Sequence, residues 1–165
     1  MDSVLSPLEL ATQHRHEGPV AIARPHRVAA AAQWFVSNFP GEVLYAVKAN
    51  PSLWVLDTLW ANGVKSFDVA SEAEVELVAT RFEGANIAFM HPVKSRRAIG
   101  RAFHDFGVKP FALDSEDELN KILAETGFAP GRLELEITEG LLLQDTEATL
   151  ATLTSIQEQG VHIVM

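Results

Sequence analysis

Apolar residues in this chain fall into short unbroken runs, and between the runs they recur every three or four positions. The runs are residues 20–23, 43–47, 66–70, 87–90, 111–113, 133–138 and 161–165. Each has strand length, and each of the first six is followed by a stretch of about 10–14 residues with helical spacing. The punctuation agrees with that alternation. Ser6-Pro7-Leu8-Glu9 predicts a lead-in helix with a capping box, ending near His16 and Gly18. Pro25 opens a helix through Phe39, and Asn50 caps another with Pro51 at its first position and Leu53, Leu56, Leu59 and Trp60 on one face. Ser71-Glu72-Ala73-Glu74 and Ser115-Glu116-Asp117-Glu118 are two further capping boxes, each directly after a strand candidate.

Strands that alternate with helices and lack hairpin turns must pair in parallel, with helices covering the sheet. The expected fold is therefore α/β, and within it a partial (β/α)8 barrel of the TIM type, incomplete, with six or seven parallel strands. A full barrel takes about 250 residues, whereas this sequence has 165 and ends inside an apolar run. The expected organisation is a helical lead-in over residues 1–17 and barrel segments over 18–127 and 128–165, packed as one domain. The seam falls at Gly127-Phe128-Ala129-Pro130-Gly131, where a helix ends before a strand of different character.

Composition narrows the function classes. Thirteen basic residues against 22 acidic ones give a net charge of −9, which speaks against nucleic acid or an anionic membrane as the main partner. With no cysteine there is no disulfide, thiolate metal site or cysteine nucleophile, and a cytoplasmic location is expected. No apolar run approaches the roughly 18 residues that span a bilayer.

Lys48 is the foremost candidate for chemistry. It follows the run 43–47 and precedes Asn50-Pro51, at the carboxyl end of a parallel strand, where α/β folds place their active sites. There it is expected to project into a low-dielectric mouth, where desolvation leaves a neutral amine able to form a Schiff base. A strand-end lysine that merely snorkels to water is the competing explanation. Trp34, Trp54 and Trp60 lie on helices among aliphatic residues and are expected to pack against the outer wall. The histidines have no partner at metal-ligand spacing.

Four motifs add to this reading. Tyr45-Ala46-Val47-Lys48-Ala49-Asn50-Pro51, Phe67-Asp68-Val69-Ala70-Ser71-Glu72-Ala73-Glu74, Met90-His91-Pro92-Val93-Lys94-Ser95 and Phe111-Ala112-Leu113-Asp114-Ser115 occur in that order. Over residues 18–127 the chain thereby resembles the barrel domain of pyridoxal-phosphate-dependent ornithine, lysine, arginine and diaminopimelate decarboxylases. The resemblance implies a pyridoxal phosphate cofactor, an amino-acid substrate, a role in polyamine synthesis, and Lys48 as the cofactor lysine. It places Asp68, Ser71, Glu74 and His91 near the cofactor. Ser71 and Glu74 are equally explained as a capping box, Lys94 as a residue of a solvated loop, and Arg96 and Arg97 as a solvated helix face. A glycine-rich phosphate loop, a ring-stacking histidine, a glutamate for the pyridine nitrogen and a second domain completing a neighbour's site are not found in the sequence. The chain alone is therefore expected to be inactive, and with the barrel short of strands the runs 43–47 and 161–165 are expected to pair as edges between copies, giving a homo-oligomer.

From residue 129 the resemblance changes. Leu133-Glu134-Leu135-Glu136-Ile137-Thr138-Glu139-Gly140, Leu142-Leu143-Gln144-Asp145 and Gly160-Val161-His162-Ile163 are similar to EAL-type cyclic-di-GMP phosphodiesterases. That resemblance implies Glu136 as a metal ligand, Glu139 as support for a neighbouring loop, and Mg²⁺ as an alternative cofactor. The Glu-Ala-Leu motif, the paired aspartates and the catalytic lysine of that family are not found. The expectation is a chimera or truncated fusion joined near 127–131, with a non-catalytic scaffold as the third alternative.

Overall fold

The computed structural model describes residues 6–14, 17–19, 21–136 and 147–164. Helices α1 (Pro7–His14) and α2 (Pro25–Asn38) come first, then strand β1 (Leu44–Ala46) and a 3-10 turn (Val47–Ala49). There follow α3 (Leu53–Ala61), β2 (Ser66–Val69), α4 (Glu72–Arg81), β3 (Asn86–Phe89), α5 (Arg96–His104) and α6 (Glu116–Thr126). After a second 3-10 turn (Pro130–Arg132) come β4 (Glu134–Glu136), α7 (Glu147–Glu158) and β5 (His162–Val164).

The strands pair in parallel, as an alternating order without hairpins requires. β1, β2 and β3 form one sheet in that order, and β4 and β5 form a second. Leu44 pairs with Ser66 and Ser66 with Asn86, so the first sheet runs in register without offset. Phe67, Val69, Ile87 and Phe89 meet Leu56, Val75, Val78 and Ala98 from the helices in the main core. Because successive side chains alternate faces, Ser66, Asp68, Asn86 and Ala88 occupy the opposite face. Trp60, Phe67 and Phe82 stack within the core, Phe67 lying 5.5 Å from Phe82 and Phe82 4.9 Å from Trp60. A separate core joins Leu119, Ile156 and Val161, with Leu113, Leu123, Leu133 and Ile163 at its margin, and α6, which contributes Leu119 and Leu123, also packs on α5.

Five strands stand among the described residues where six or seven were expected. Residues 21–24 have no regular structure and are exposed, since no ladder partner is offered to them. The run 111–113 contributes a single parallel bridge, Phe111 to Phe89, closed by Phe89 N to Pro110 O at 2.9 Å and Ala112 N to Phe89 O at 3.0 Å. Residues 137–138 of the run 133–138, together with Val20 and Met165, lie outside the described residues.

The caps mostly follow the residue pattern. At α1, Ser6 and Glu9 exchange hydrogen bonds of 2.7 and 3.2 Å. At α4 the Ser71 hydroxyl accepts from Glu74 N at 3.3 Å while Glu74 Oε2 accepts from Ala70 N at 2.7 Å. Gly127 closes α6 at φ +69°, a left-handed conformation open to glycine without strain, and its N–H reaches Leu123 O. Helix α3 differs from expectation. It begins at Leu53, and the Asn50 side chain instead accepts from Ser52 N at 3.0 Å, forming a local turn. Leu53 is exposed and Val55 takes its place in the buried stripe.

The tryptophans divide. Trp60 enters the core stack, but Trp34 is 59% exposed and Trp54 38%, while α2 packs through Ala32 against Val55 and Leu59 of α3 and Val64 beyond it. Arg96 and Arg97 lie on a solvated helix face as expected, paired with Glu125 and Glu72 at 3.0 Å each. Such exposed pairs contribute little individually.

The aromatic stack should dominate stability. Replacing fully buried Phe67 with alanine is expected to cost about 3–5 kcal/mol, read as a lowered urea midpoint with an unchanged slope.

Candidate active site

In-register parallel pairing brings the carboxyl ends of β1, β2 and β3 to one edge of the sheet, and three of the sequence-predicted residues stand there. Lys48 is the middle residue of the turn that ends β1, Asp68 is in the third position of β2, and His91 follows β3 by two residues. The turn is held on both sides of Lys48. Val47 is fully buried in the main core, Asn50 N donates to Val47 O at 3.1 Å, and Tyr45 Oη donates to Asn50 O at 3.2 Å.

The Lys48 side chain is exposed rather than enclosed in a low-dielectric mouth. Among the described residues β1 has a strand neighbour on one side only. Asp68 is half-buried, and its Oδ1 is a buried oxygen without a hydrogen-bond partner among the described residues. Buried carboxylate oxygens are ordinarily satisfied, so this atom is an unused acceptor beneath that edge. Ser71 and Glu74 are occupied by the cap of α4. His91 is exposed, and its Nδ1 accepts from Val93 N at 3.1 Å, which places the ring proton of the neutral form on Nε2.

Lys94 departs from expectation. It is not solvated: its side chain has 0% exposure. Its ammonium lies 2.9 Å from Glu118 Oε1 and 2.9 Å from His91 O, and it also donates to Ala112 O and, at 3.4 Å, to Pro92 O. Glu118 is correspondingly diverted from its predicted cap. Its N–H still donates to Ser115 Oγ at 3.3 Å, but its carboxylate accepts from Lys94 N at 3.0 Å and pairs through Oε2 with Lys121. A proline and an exposed-looking loop around Lys94 concealed this burial. The available signal was on α6, where Glu118 shares the buried stripe of Leu119, Ile122 and Thr126.

Burial pushes the Lys94 ammonium below the ordinary lysine value, with Glu118 offsetting part of that. Desolvation alone would raise the Glu118 carboxyl, but hydrogen bonds from Lys121 and Lys94 outweigh it and hold the group below the ordinary range.

Glu136 lies in β4 with its side chain outside the described residues, and Glu139 lies outside them entirely. Among the described residues no group of three or more His, Asp or Glu side chains could hold a metal ion, and no helix is long and apolar enough to cross a membrane. A cavity of about 430 Å³ opens at the opposite, amino end of the sheet, bounded by Glu42, Ser66, Asn86 and Lys109. Its polar groups bond one another, Asn86 Nδ2 donating to Glu42 Oε1 at 3.1 Å and to Ser66 Oγ at 3.2 Å.

Parallel strands with helical crossovers define an α/β protein, with Lys48 standing at the carboxyl end of the first strand. The chain belongs to the pyridoxal-dependent decarboxylases, as their pyridoxal binding domain: that family's profile matches residues 25–153, continuing past residues 127–131 where the sequence suggested a join. It is 36% identical over 96 residues to a diaminopimelate decarboxylase of Vibrio cholerae, covering 56% of this chain and 22% of that protein. It is 41% identical over 78 residues to an ornithine decarboxylase of Panagrellus redivivus, covering 47% and 18%. The crystal structure of lysine decarboxylase from Selenomonas ruminantium superposes on 98% of this chain and 44% of its own, with a TM-score of 0.70 and 28% identity. The chain thus spans about a fifth of the curated relatives it matches.

The lowered Glu118 value carries a sign. Its stabilisation is fully present above the ordinary glutamate value of 4.5 and is lost as pH falls through the lower folded value. Glu118→Gln leaves Lys94 buried beside a neutral partner and should cost about 3 kcal/mol near neutral pH. In urea titrations over a pH series, that deficit should shrink below about pH 4.

Proposed function

We propose that this chain is the pyridoxal-phosphate-binding part of a decarboxylase acting on an ornithine- or lysine-type amino acid, in polyamine synthesis, and that Lys48 holds the cofactor. The observation that carries the reading is the exposed Lys48 amine at the carboxyl end of β1, next to the strand whose Asp68 Oδ1 lacks a partner among the described residues. These residues suit the group: an exposed amine can condense with its aldehyde, and an unused carboxylate oxygen can accept a hydrogen bond or proton from it. When bound, pyridoxal phosphate supplies the sink for the electrons left by departing CO₂.

The remaining residues of the motif support that edge. Ser71 and Glu74 fix the start of α4 directly after β2, and Tyr45 and Val47 keep Lys48 from shifting along β1. His91 offers an exposed Nε2–H at the same end of the sheet. A cysteine-free chain suits the reducing cytosol.

Incubation with pyridoxal phosphate, borohydride reduction and peptide mapping should find the label on Lys48 and little elsewhere, and Lys48→Ala should lose it. Label spread evenly over the lysines defeats the assignment. The same preparation should release no measurable CO₂ from ornithine or lysine, since the sequence lacks a glycine-rich phosphate loop and any cysteine.

We also propose self-association. Among the described residues β1 and β5 each have a strand neighbour on one side only, and such edges gain hydrogen bonds by pairing between copies. Light scattering over a dilution series should show a dimer or larger species. A compact monomer at every concentration, with dilution-independent unfolding, contradicts this.

A further inference from the structure

Lysine is almost never fully enclosed, and taking an ion pair out of water costs several kcal/mol per ion. A long apolar side chain would fill the Lys94 site without that cost, so the geometry of the ammonium should show what the lysine adds. Its acceptors come from three separate segments: His91 O and Pro92 O after β3, Ala112 O beyond the Phe111 bridge, and Glu118 on α6. The main chain of the same residue is held as well, Lys94 N donating to Glu118 Oε1 at 3.0 Å and Lys94 O accepting from Lys121 Nζ at 2.8 Å. Residues 91–94 are thus tied at both ends. Inside that tie sits a bond that orients the His91 ring, from Val93 N to Nδ1. Methionine could replace the volume and keep the two main-chain bonds, but none of those made by the ammonium.

We infer that Lys94 is a positioning residue: by clamping the His91 and Ala112 carbonyls to Glu118 it holds the His91 ring with its Nε2–H available at the end of the sheet where Lys48 and Asp68 stand. The inference rests on the pyridoxal phosphate reading for what His91 would meet, and on the hydrogen bonds alone for how His91 is held. A lysine serving stability only would act independently of His91, whereas a lysine acting through His91 would not.

A double-mutant cycle separates the two. Pyridoxal phosphate binding is measured for the wild-type chain, Lys94→Met, His91→Ala and the double variant, each checked for cooperative unfolding. Lys94→Met and His91→Ala should each weaken binding about tenfold, and the double variant should be no weaker than His91→Ala alone. Lys94→Arg, which retains donors for the carbonyls, should recover part of the loss, and Lys94→Leu takes the place of Lys94→Met in the cycle if the methionine variant does not fold. Amide exchange of Val93, followed without cofactor, should be slow in the wild-type chain and faster in the Lys94 variant. Multiplicative losses in the cycle, or unchanged Val93 exchange, overturn the inference. If the wild-type chain does not bind pyridoxal phosphate, the cofactor reading fails by itself, and Val93 exchange alone decides whether Lys94 holds the His91 loop.

Discussion

Everything that gathers at the candidate site depends on the zero-offset parallel pairing of β1, β2 and β3. Parallel strands in register end together, so residues far apart in sequence meet at one edge without long loops to bring them there. The pairing in turn depends on apolar burial: Phe67 and Phe89 sit on the helix-facing side, and shifting either strand by one residue would turn them to the other face. Hydrogen bonds give direction and spacing, while the stacked Trp60, Phe67 and Phe82 rings supply much of the local stabilisation.

The buried Lys94–Glu118–Lys121 cluster works differently. Ion pairs of this kind add little net stability over apolar packing, but they tolerate only one arrangement, because a misplaced member is left charged and unpaired. Here the arrangement joins the loop after β3, the segment after Phe111 and helix α6. A single short bridge, Phe89 to Phe111, is all the strand pairing these segments have. The ionic cluster therefore orders the part of the edge that the ladder leaves weakly specified.

Family membership fits this division between a firm sheet and an open edge. The match to the pyridoxal binding domain covers the first sheet and its helices, which are the elements that set the positions of Lys48 and Asp68. The edge itself is exposed at Lys48 and His91, and α2 presents Trp34, Phe35 and Phe39 to solvent. Among the described residues β1 also lacks a strand neighbour on one side, so both surfaces have room for further contacts.

Much of this was written in the local sequence. Short apolar runs alternating with amphipathic stretches determined the α/β class and parallel pairing, because backbone groups in such runs have no other economical partners. Serine caps placed the starts of α4 and α6, and the motif around Lys48 placed the lysine at the end of β1. What local pattern could not determine was whether a run finds a neighbour. Residues 21–23 and 111–113 look like strands, yet the first has no ladder and the second only one bridge. Exposure of Lys48, Trp34 and Trp54 was likewise decided by which surfaces other elements reach. Lys94 and Glu118 show the same limit most clearly. Each alone reads as a surface charge, and only the approach of α6 to the loop after β3 buries both, since a charge can be enclosed only where its partner is already waiting.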